Sequence, residues 1–438
     1  VIYRIVLIAL ALSISTLVLA GPKIQHWKTK NGARVYFVPA PELPMVDIRV
    51  VFEAGSSRDG GKPGLALLTN ALLSEGTKNM NADQIAELFD GLGAQLSNDS
   101  LRDMASVELR SLSDAVKLNK AVDAMAEIIR RPAFRKQAFQ RERDRLLVAL
   151  KAQAESPGKI AEQAFYQAVF GNHPYHTMPT GNEASVKKLT PKMLRQFHDQ
   201  YYVGNNAVIA LVGALHRKSA RALAERLIGK LPKGKRAKRL PRVADLGQAR
   251  RKEIAHPSTQ THILVGQPGI TRKDPDYYAL YVGNHILGGS GLVSRISDEI
   301  REKRGLAYSS YSYFLPMARR GPFQMGLQTR NDQAEQALRI LLKTLQQFID
   351  QGPTAEELKS AKKNISGGFA LRLNSNRKIA TYLSIIGFYE LPLDYLDSFV
   401  NKVQAVTVAD VKKAFAKRVF PAHLATVIVG GSQHARAD

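Results

Sequence analysis

Residues 64–77 read GLALLTNALLSEGT, and how this stretch is read decides the fold. Leu65, Leu68 and Leu72 fall at helical spacing, and so do Leu67, Ala71 and Ser74, which predicts a helix over 64–74 buried on most sides. Thr69 and Asn70 sit side by side inside that apolar run, and the polar turn Ser74-Glu75-Gly76-Thr77 closes it. Hydrophobic packing alone supplies no reason for an adjacent Thr and Asn in a buried helix.

Upstream, KTKNGARVYFVPA and MVDIRVVFEAGSS read as strands: Val35, Phe37, Val46, Ile48 and Val50 alternate, and Asn31-Gly32 marks a turn. Helical patterns follow at 82–90, 114–130, 134–155, 157–169 and 191–202, then a buried strand AVIALVG at 207–213 and a helix at 217–230. Residues 231–252, LPKGKRAKRLPRVADLGQARRK, are rich in Pro, Gly, Lys and Arg with no apolar period, which reads as a solvated linker.

Beyond it the order repeats. THILVGQPG (261–269) stands where IRVVFEAGS stood, YYALYVGNHILGG (277–289) takes the place of the opening helix, and GPFQMGLQTR (321–330) matches MASVELRSL (104–112). Each half closes on a helix running into a strand that ends in Val-Gly. The expected fold class is therefore α+β, two homologous domains, each a mostly antiparallel sheet packed with helices. The expected boundaries are 21–231 and 253–438, joined by a basic linker at 232–252.

At the N-terminus, Arg4 precedes the apolar run IVLIALALSISTLVLA, and Val18 and Ala20 offer small side chains before Gly21. That is the layout of a cleaved signal peptide over 1–20, so the expected compartment is the periplasm, with no stable membrane span after cleavage. The chain has no cysteine, which excludes disulfides and thiolate metal sites. Its 63 Lys+Arg against 38 Asp+Glu, a formal charge of +25, attract anionic partners. Nucleic acid is not the expected partner, because the basic run lacks interleaved aromatics, a recognition helix and a zinc module.

Other candidate motifs reduce to structure. Gly288-Gly289-Ser290-Gly291 follows a helix rather than a strand and lacks the Lys of a P-loop, so it reads as a tight turn. The ten histidines form no metal set, and neither H-E-x-x-H nor H-x-x-E-H occurs. IREKRGLAYSSYSYF (300–314) stands out instead: Arg301 and Tyr308 flank a helix end and a Gly305 turn. A guanidinium and a phenol at such a junction can both donate to one extended peptide, the phenol to a carbonyl oxygen becoming an oxyanion.

With these residues placed, the chain resembles the pitrilysin/insulinase superfamily of zinc metallopeptidases, in the branch of two-domain subunits like the mitochondrial processing peptidase. GGSGLVSRISDEIREKRGLAYSS is similar to the second-domain signature of that family, and FGNHPYHTMPTGNEASVKKLTPKMLRQFHDQYY to a first-domain one. The resemblance implies that Arg301 and Tyr308 form a substrate-gripping pair. It also implies a zinc helix at Gly64–Thr77, where the ligand positions read Leu67 and Ala71 and the general-base position reads Asn70. A later acidic ligand belongs on RERDRLLVALKAQ (141–153), where the matching residues are Leu147, Val148 and Ala149; Glu142 and Asp144 cannot hold a metal unaided. Catalytic zinc needs three protein ligands and an open position for water.

The expectation is therefore no metal in this chain and no peptide hydrolysis by it alone. What the resemblance implies is the non-catalytic subunit of a heterodimer. Zinc would sit in a homologous H-x-x-E-H partner, and Arg301 and Tyr308 would reach across to peptide substrates. The alternative is a binding or scaffold module with no share in catalysis.

Overall fold

The computed structural model describes residues 23–431. The expected signal peptide, 1–20, lies outside the described residues. Among those described, no helix is long and apolar enough to cross a membrane.

Two sheets organise the chain. The first contains β1 (Gln25–Lys28), β2 (Arg34–Pro39), β3 (Met45–Phe52), β4 (Gln95–Ser100), β5 (Ala105–Leu112) and β6 (Ala207–Gly213), in the order β1-β2-β6-β3-β5-β4. The second contains β7 (Arg250–Ile254), β8 (Gln260–Pro268), β9 (Ala307–Phe314), β10 (Pro322–Arg330) and β11 (Ala425–Val429), in the order β7-β11-β8-β10-β9. Replacing β2, β6, β3, β5 and β4 by β7, β11, β8, β10 and β9 turns one order into the other. In both sheets a single parallel pair, β2–β6 or β7–β11, adjoins otherwise antiparallel neighbours. The repeat read from the sequence is thus a repeat of topology, with β1 as an addition to the first half.

The two halves exchange a helix. Pro157–Phe170, from the first half, lies on β8 and β11 of the second sheet, where Phe165, Val169 and Phe170 cluster with Leu264, Ala425, Val427 and Val429. Its counterpart Asn376–Tyr389 lies on β2, β3 and β6 of the first sheet, where it shares a core with Tyr36, Val38, Val208, Ala210 and Val212. The opposite face of the first sheet, with Val35, Phe37, Ile48, Val50, Ile209 and Leu211, packs on helices of its own half. This exchange explains why AVIALVG is apolar at every position: β6 is buried on both faces, so alternation has no reason to appear. The crossing is close because Gly387 has no side chain; a Cβ there would stand 2.5 Å from both Tyr36 Cε2 and Val208 Cγ1.

The junction is also polar. Asp103, buried between β4 and β5, accepts from the Tyr175 hydroxyl (2.5 Å), the Ala318 N–H (2.7 Å) and the Tyr389 hydroxyl (3.1 Å), so one carboxylate gathers donors from both halves. Burial pushes its carboxyl above the ordinary aspartate range, against the lowering effect of those three donors.

Two expectations need correction. The segment at 232–252 is not a solvated linker along its length: Leu240, Val243 and Leu246 are buried, the Leu240 carbonyl accepts from Arg319, and Arg250 already begins β7. Arg242 and Asp245 stand between the three anchors, whose spacing of three residues matches neither the strand period of two nor the helical period of 3.6. The opening helix is also shorter than 64–74. It spans Leu65–Ala71, and Leu67 and Ala71 are only partly buried rather than packed in a core.

Candidate functional site

Helix Leu65–Ala71 starts at Gly64, whose φ of 96° suits glycine, and is capped by a side chain from outside the helix. Asp59 accepts from the N–H groups of Gly64 (2.9 Å) and Ala66 (2.8 Å), satisfying donors that the first turn leaves free. Burial nevertheless raises the Asp59 carboxyl to about 7. The two polar residues of the apolar run are both occupied inward. Thr69 returns its hydroxyl to the Leu65 carbonyl (2.7 Å), and Asn70 donates its amide to the Ser106 carbonyl of β5 (3.2 Å) and to the Tyr202 hydroxyl (3.3 Å). The Asn70 carbonyl in turn accepts from the Asn98 side chain of edge strand β4 (2.9 Å). Asn70 therefore stitches this helix to β4, β5 and Tyr202.

The residues at the expected zinc positions do not fit a zinc ion. Leu67 and Ala71 carry no donor atom, and the Asn70 amide nitrogen is itself a donor already engaged. Helix Lys136–Ala154 passes against this helix, but Leu147 is half-buried apolar surface and Val148 points to solvent, 69% exposed. Glu142 is held by Arg141 and Arg145, and Asp144 by Arg143. Among the described residues no group of three His, Cys, Asp or Glu side chains is placed to hold a metal ion.

Arg301 and Tyr308 are brought together, and the backbone accounts for it. The helical stretch ends in a wide turn over Asp298–Glu302, with the Lys303 N–H bonding the Asp298 carbonyl five residues back (2.9 Å). Gly305, at φ 60°, then reverses the chain into β9. Strand β9 is the outer edge of the second sheet, and its register against β10 slips at one place: Ser309 faces Gln328 while Ala307 faces Thr329. Tyr308 is the extra, unpaired residue of that bulge, and bulges redirect a side chain away from the regular pleat. The result is a tyrosine 84% exposed, with the Arg301 guanidinium 4.8 Å from its ring centroid.

The neighbouring cations are already engaged. Lys303 pairs with Asp298 (2.8 Å) and Glu299 (2.6 Å), and Arg304 with Glu299 (2.6 Å), whereas the nearest carboxylate to Arg301 is Glu302 at 3.5 Å. Arg301 keeps donors free, and Tyr308 presents its O–H to solvent. Chemically the pair can donate to carbonyl oxygens of a chain lying outside edge strand β9. It offers no nucleophile and no general base. The bulge was not legible in the sequence, because a register slip depends on the partner strand; the partners of Asn70 were hidden for the same reason.

Comparison with known proteins identifies the family. Residues 34–180 match the family model described as insulinase (peptidase family M16), and residues 188–365 match the one described as peptidase M16 inactive domain. A crystal structure of a peptidase M16 inactive domain from Pseudomonas fluorescens is 40% identical, covers 93% of this chain and 98% of its own, and superposes with a TM-score of 0.91. The non-peptidase homolog YmxG of Helicobacter pylori is 28% identical over 377 residues, 84% of this chain and 85% of that protein. The uncharacterized zinc protease YmxG of Bacillus subtilis is 26% identical over 415 residues, 93% of this chain and 98% of that protein. With these family matches, and with an inactive domain and a non-peptidase homolog among its relatives, the chain belongs to the insulinase (M16) family of peptidases as a non-catalytic member.

Proposed function

We propose that this protein is the substrate-positioning subunit of a heterodimeric periplasmic zinc peptidase, working with a homologous partner that carries H-x-x-E-H and the zinc ion. The observation that carries this reading is Tyr308: an edge-strand bulge holds its phenol in solvent beside a guanidinium whose donors are largely free. In the proposed complex, Tyr308 donates to the oxyanion that forms at the partner's zinc site, and Arg301 fixes the peptide backbone beside it. Removing one preorganised donor of this kind raises a barrier by roughly 3–4 kcal/mol, a few hundredfold in rate.

The test is to purify this chain and its H-x-x-E-H homologue separately, then mix them. The mixture should hydrolyse peptides that neither chain cleaves alone. Tyr308→Phe should lower kcat about a hundredfold or more with the association constant unchanged. Arg301→Ala should act chiefly on KM. A Tyr308→Phe complex of full rate would remove the site-completing role. A wild-type pair that associates without activity would leave a scaffold.

A further inference from the structure

We propose that the cleft between the two halves, away from Arg301 and Tyr308, binds a small multivalent oxyanion: a molecule carrying two or more phosphate or carboxylate groups close together. The cleft has a volume of about 520 Å³, within the size range of small-ligand sites and too small for a folded partner. It is assembled from distant parts of the chain: Glu53 just after β3, Arg236 and Arg239 of the joining segment, Arg272 and Lys273 after β8, Arg319 between β9 and β10, and Glu390 at the end of the exchanged helix. Five cations thus face two carboxylates.

Those carboxylates do not neutralise the cleft. Glu53 is held by Arg58 and lies 3.7 Å from Arg236, and Glu390 pairs with Arg34 (2.9 Å), Arg236 (2.5 Å) and Lys273 (3.9 Å). Asp103, behind the wall, is occupied by its three donors. Among the described residues Arg239 and Arg272 have no carboxylate within 4.0 Å, and the guanidinium of Arg319 bonds only the Leu240 carbonyl. The Nε of Arg272 is sealed from solvent with no hydrogen-bond partner, while its guanidinium carbon stands 5.8 and 5.7 Å from the rings of Tyr277 and Tyr389. Four of the five cations are guanidiniums, whose paired N–H groups match oxyanions bidentately.

Glu390 adds a separate observation. Its φ is 52°, a left-handed helix end that ordinarily takes glycine or asparagine. A glutamate held there places its carboxylate among three cations, where it acts as an internal counter-ion that an incoming oxyanion would displace. A cleft whose lining carries a net excess of positive charge between low-dielectric walls concentrates such anions.

The experiment titrates the purified full-length chain calorimetrically with tripolyphosphate, and in parallel with citrate, in about 0.15 M NaCl. The expected result is one saturable site per chain for at least one of them, and the better ligand separates phosphate from carboxylate chemistry. Arg239→Glu with Arg272→Glu should weaken binding about tenfold or more, and Glu390→Gln should tighten it about threefold or more. The control Lys117→Glu with Lys120→Glu makes the same change in net charge at two exposed positions of the helix Ala115–Arg130, and should leave the affinity within about twofold. If the cleft double variant does not fold, Glu390→Gln decides alone. No saturable binding of either anion, equal loss in the control, or an unchanged affinity in Glu390→Gln each overturns the assignment.

Discussion

The exchanged helix can be tested with the same substitution made twice. Gly387 and Gly367 both lie within helices of the second half, at Asn376–Tyr389 and Ala355–Phe369. Replacing glycine by alanine inside a helix gains roughly 0.8–1 kcal/mol of propensity. At Gly367 an added Cβ meets no atom within 4 Å, so that gain should appear as stability. At Gly387 the same Cβ would stand 2.5 Å from Tyr36 Cε2 and Val208 Cγ1. Neither neighbour yields easily: Val208 lies on a central strand at 0% exposure, and the Tyr36 ring stacks on His26 at 4.4 Å. Overpacking of this kind costs about 1–3 kcal/mol, so Gly387→Ala should be destabilising by up to about 2 kcal/mol after the propensity gain is subtracted. The two variants should therefore differ by about 1–3 kcal/mol, with opposite signs through most of that range. In a cooperative unit of this size one kcal/mol moves Tm by only about 1 °C, so guanidinium denaturation is the better assay. Gly387→Ala should also speed proteolytic cleavage around the junction. Equal midpoints for the two variants, with equal slopes, would refute the claim that this helix packs directly on the first sheet.

Other consequences follow from single groups. Asp103→Ala leaves the Tyr175 and Tyr389 hydroxyls and the Ala318 N–H without their acceptor, so stability should fall by about 3 kcal/mol or more, and Asp103→Asn, which keeps one acceptor, should lose less. Asp59 has a folded-state pKa raised to about 7, above an unfolded value of about 4, so the native chain binds its proton more tightly. The group's contribution is full below about pH 4 and is lost as pH rises to about 7, so Asp59→Asn should show a flatter urea stability profile than wild type between those limits. An unchanged slope would show that Asp59 titrates normally. Leu67→His with Ala71→His places two imidazoles one turn apart at partly exposed positions, and should confer stoichiometric cobalt or zinc binding detectable by spectroscopy and metal analysis, without peptidase activity.

Local pattern reached far into this fold. The alternation of Val46, Ile48 and Val50 marks one face of β3, and all three lie in the core of the first half. The pairing of 261–269 with the early strand, and of 321–330 with 104–112, corresponds to equivalent positions in the two sheet orders. Between Gly64-Leu65-Ala66 and Gly76-Thr77, the expected ligand positions Leu67 and Ala71 carry no donor atom, which is a matter of residue type alone. What failed did so for one reason. Leu240, Val243 and Leu246 look like scattered apolar residues in a basic segment until the surface that buries them is in place. The partners of Asn70 are not visible beside it in the sequence, because Ser106, Asn98 and Tyr202 lie far along the chain.

Residue identity and spacing by themselves determined the duplicated α+β plan, the want of a donor atom at Leu67 and Ala71 and the placing of Arg301 and Tyr308 on either side of Gly305, because each of these is a property of the order of residues along one chain. The tertiary structure alone decided that the halves trade helices, that Tyr308 is thrown outward by a bulge and that five cations converge on one cleft. Each of those depends on which distant strand or helix lies alongside, and pairing between distant segments is set by packing across the whole molecule.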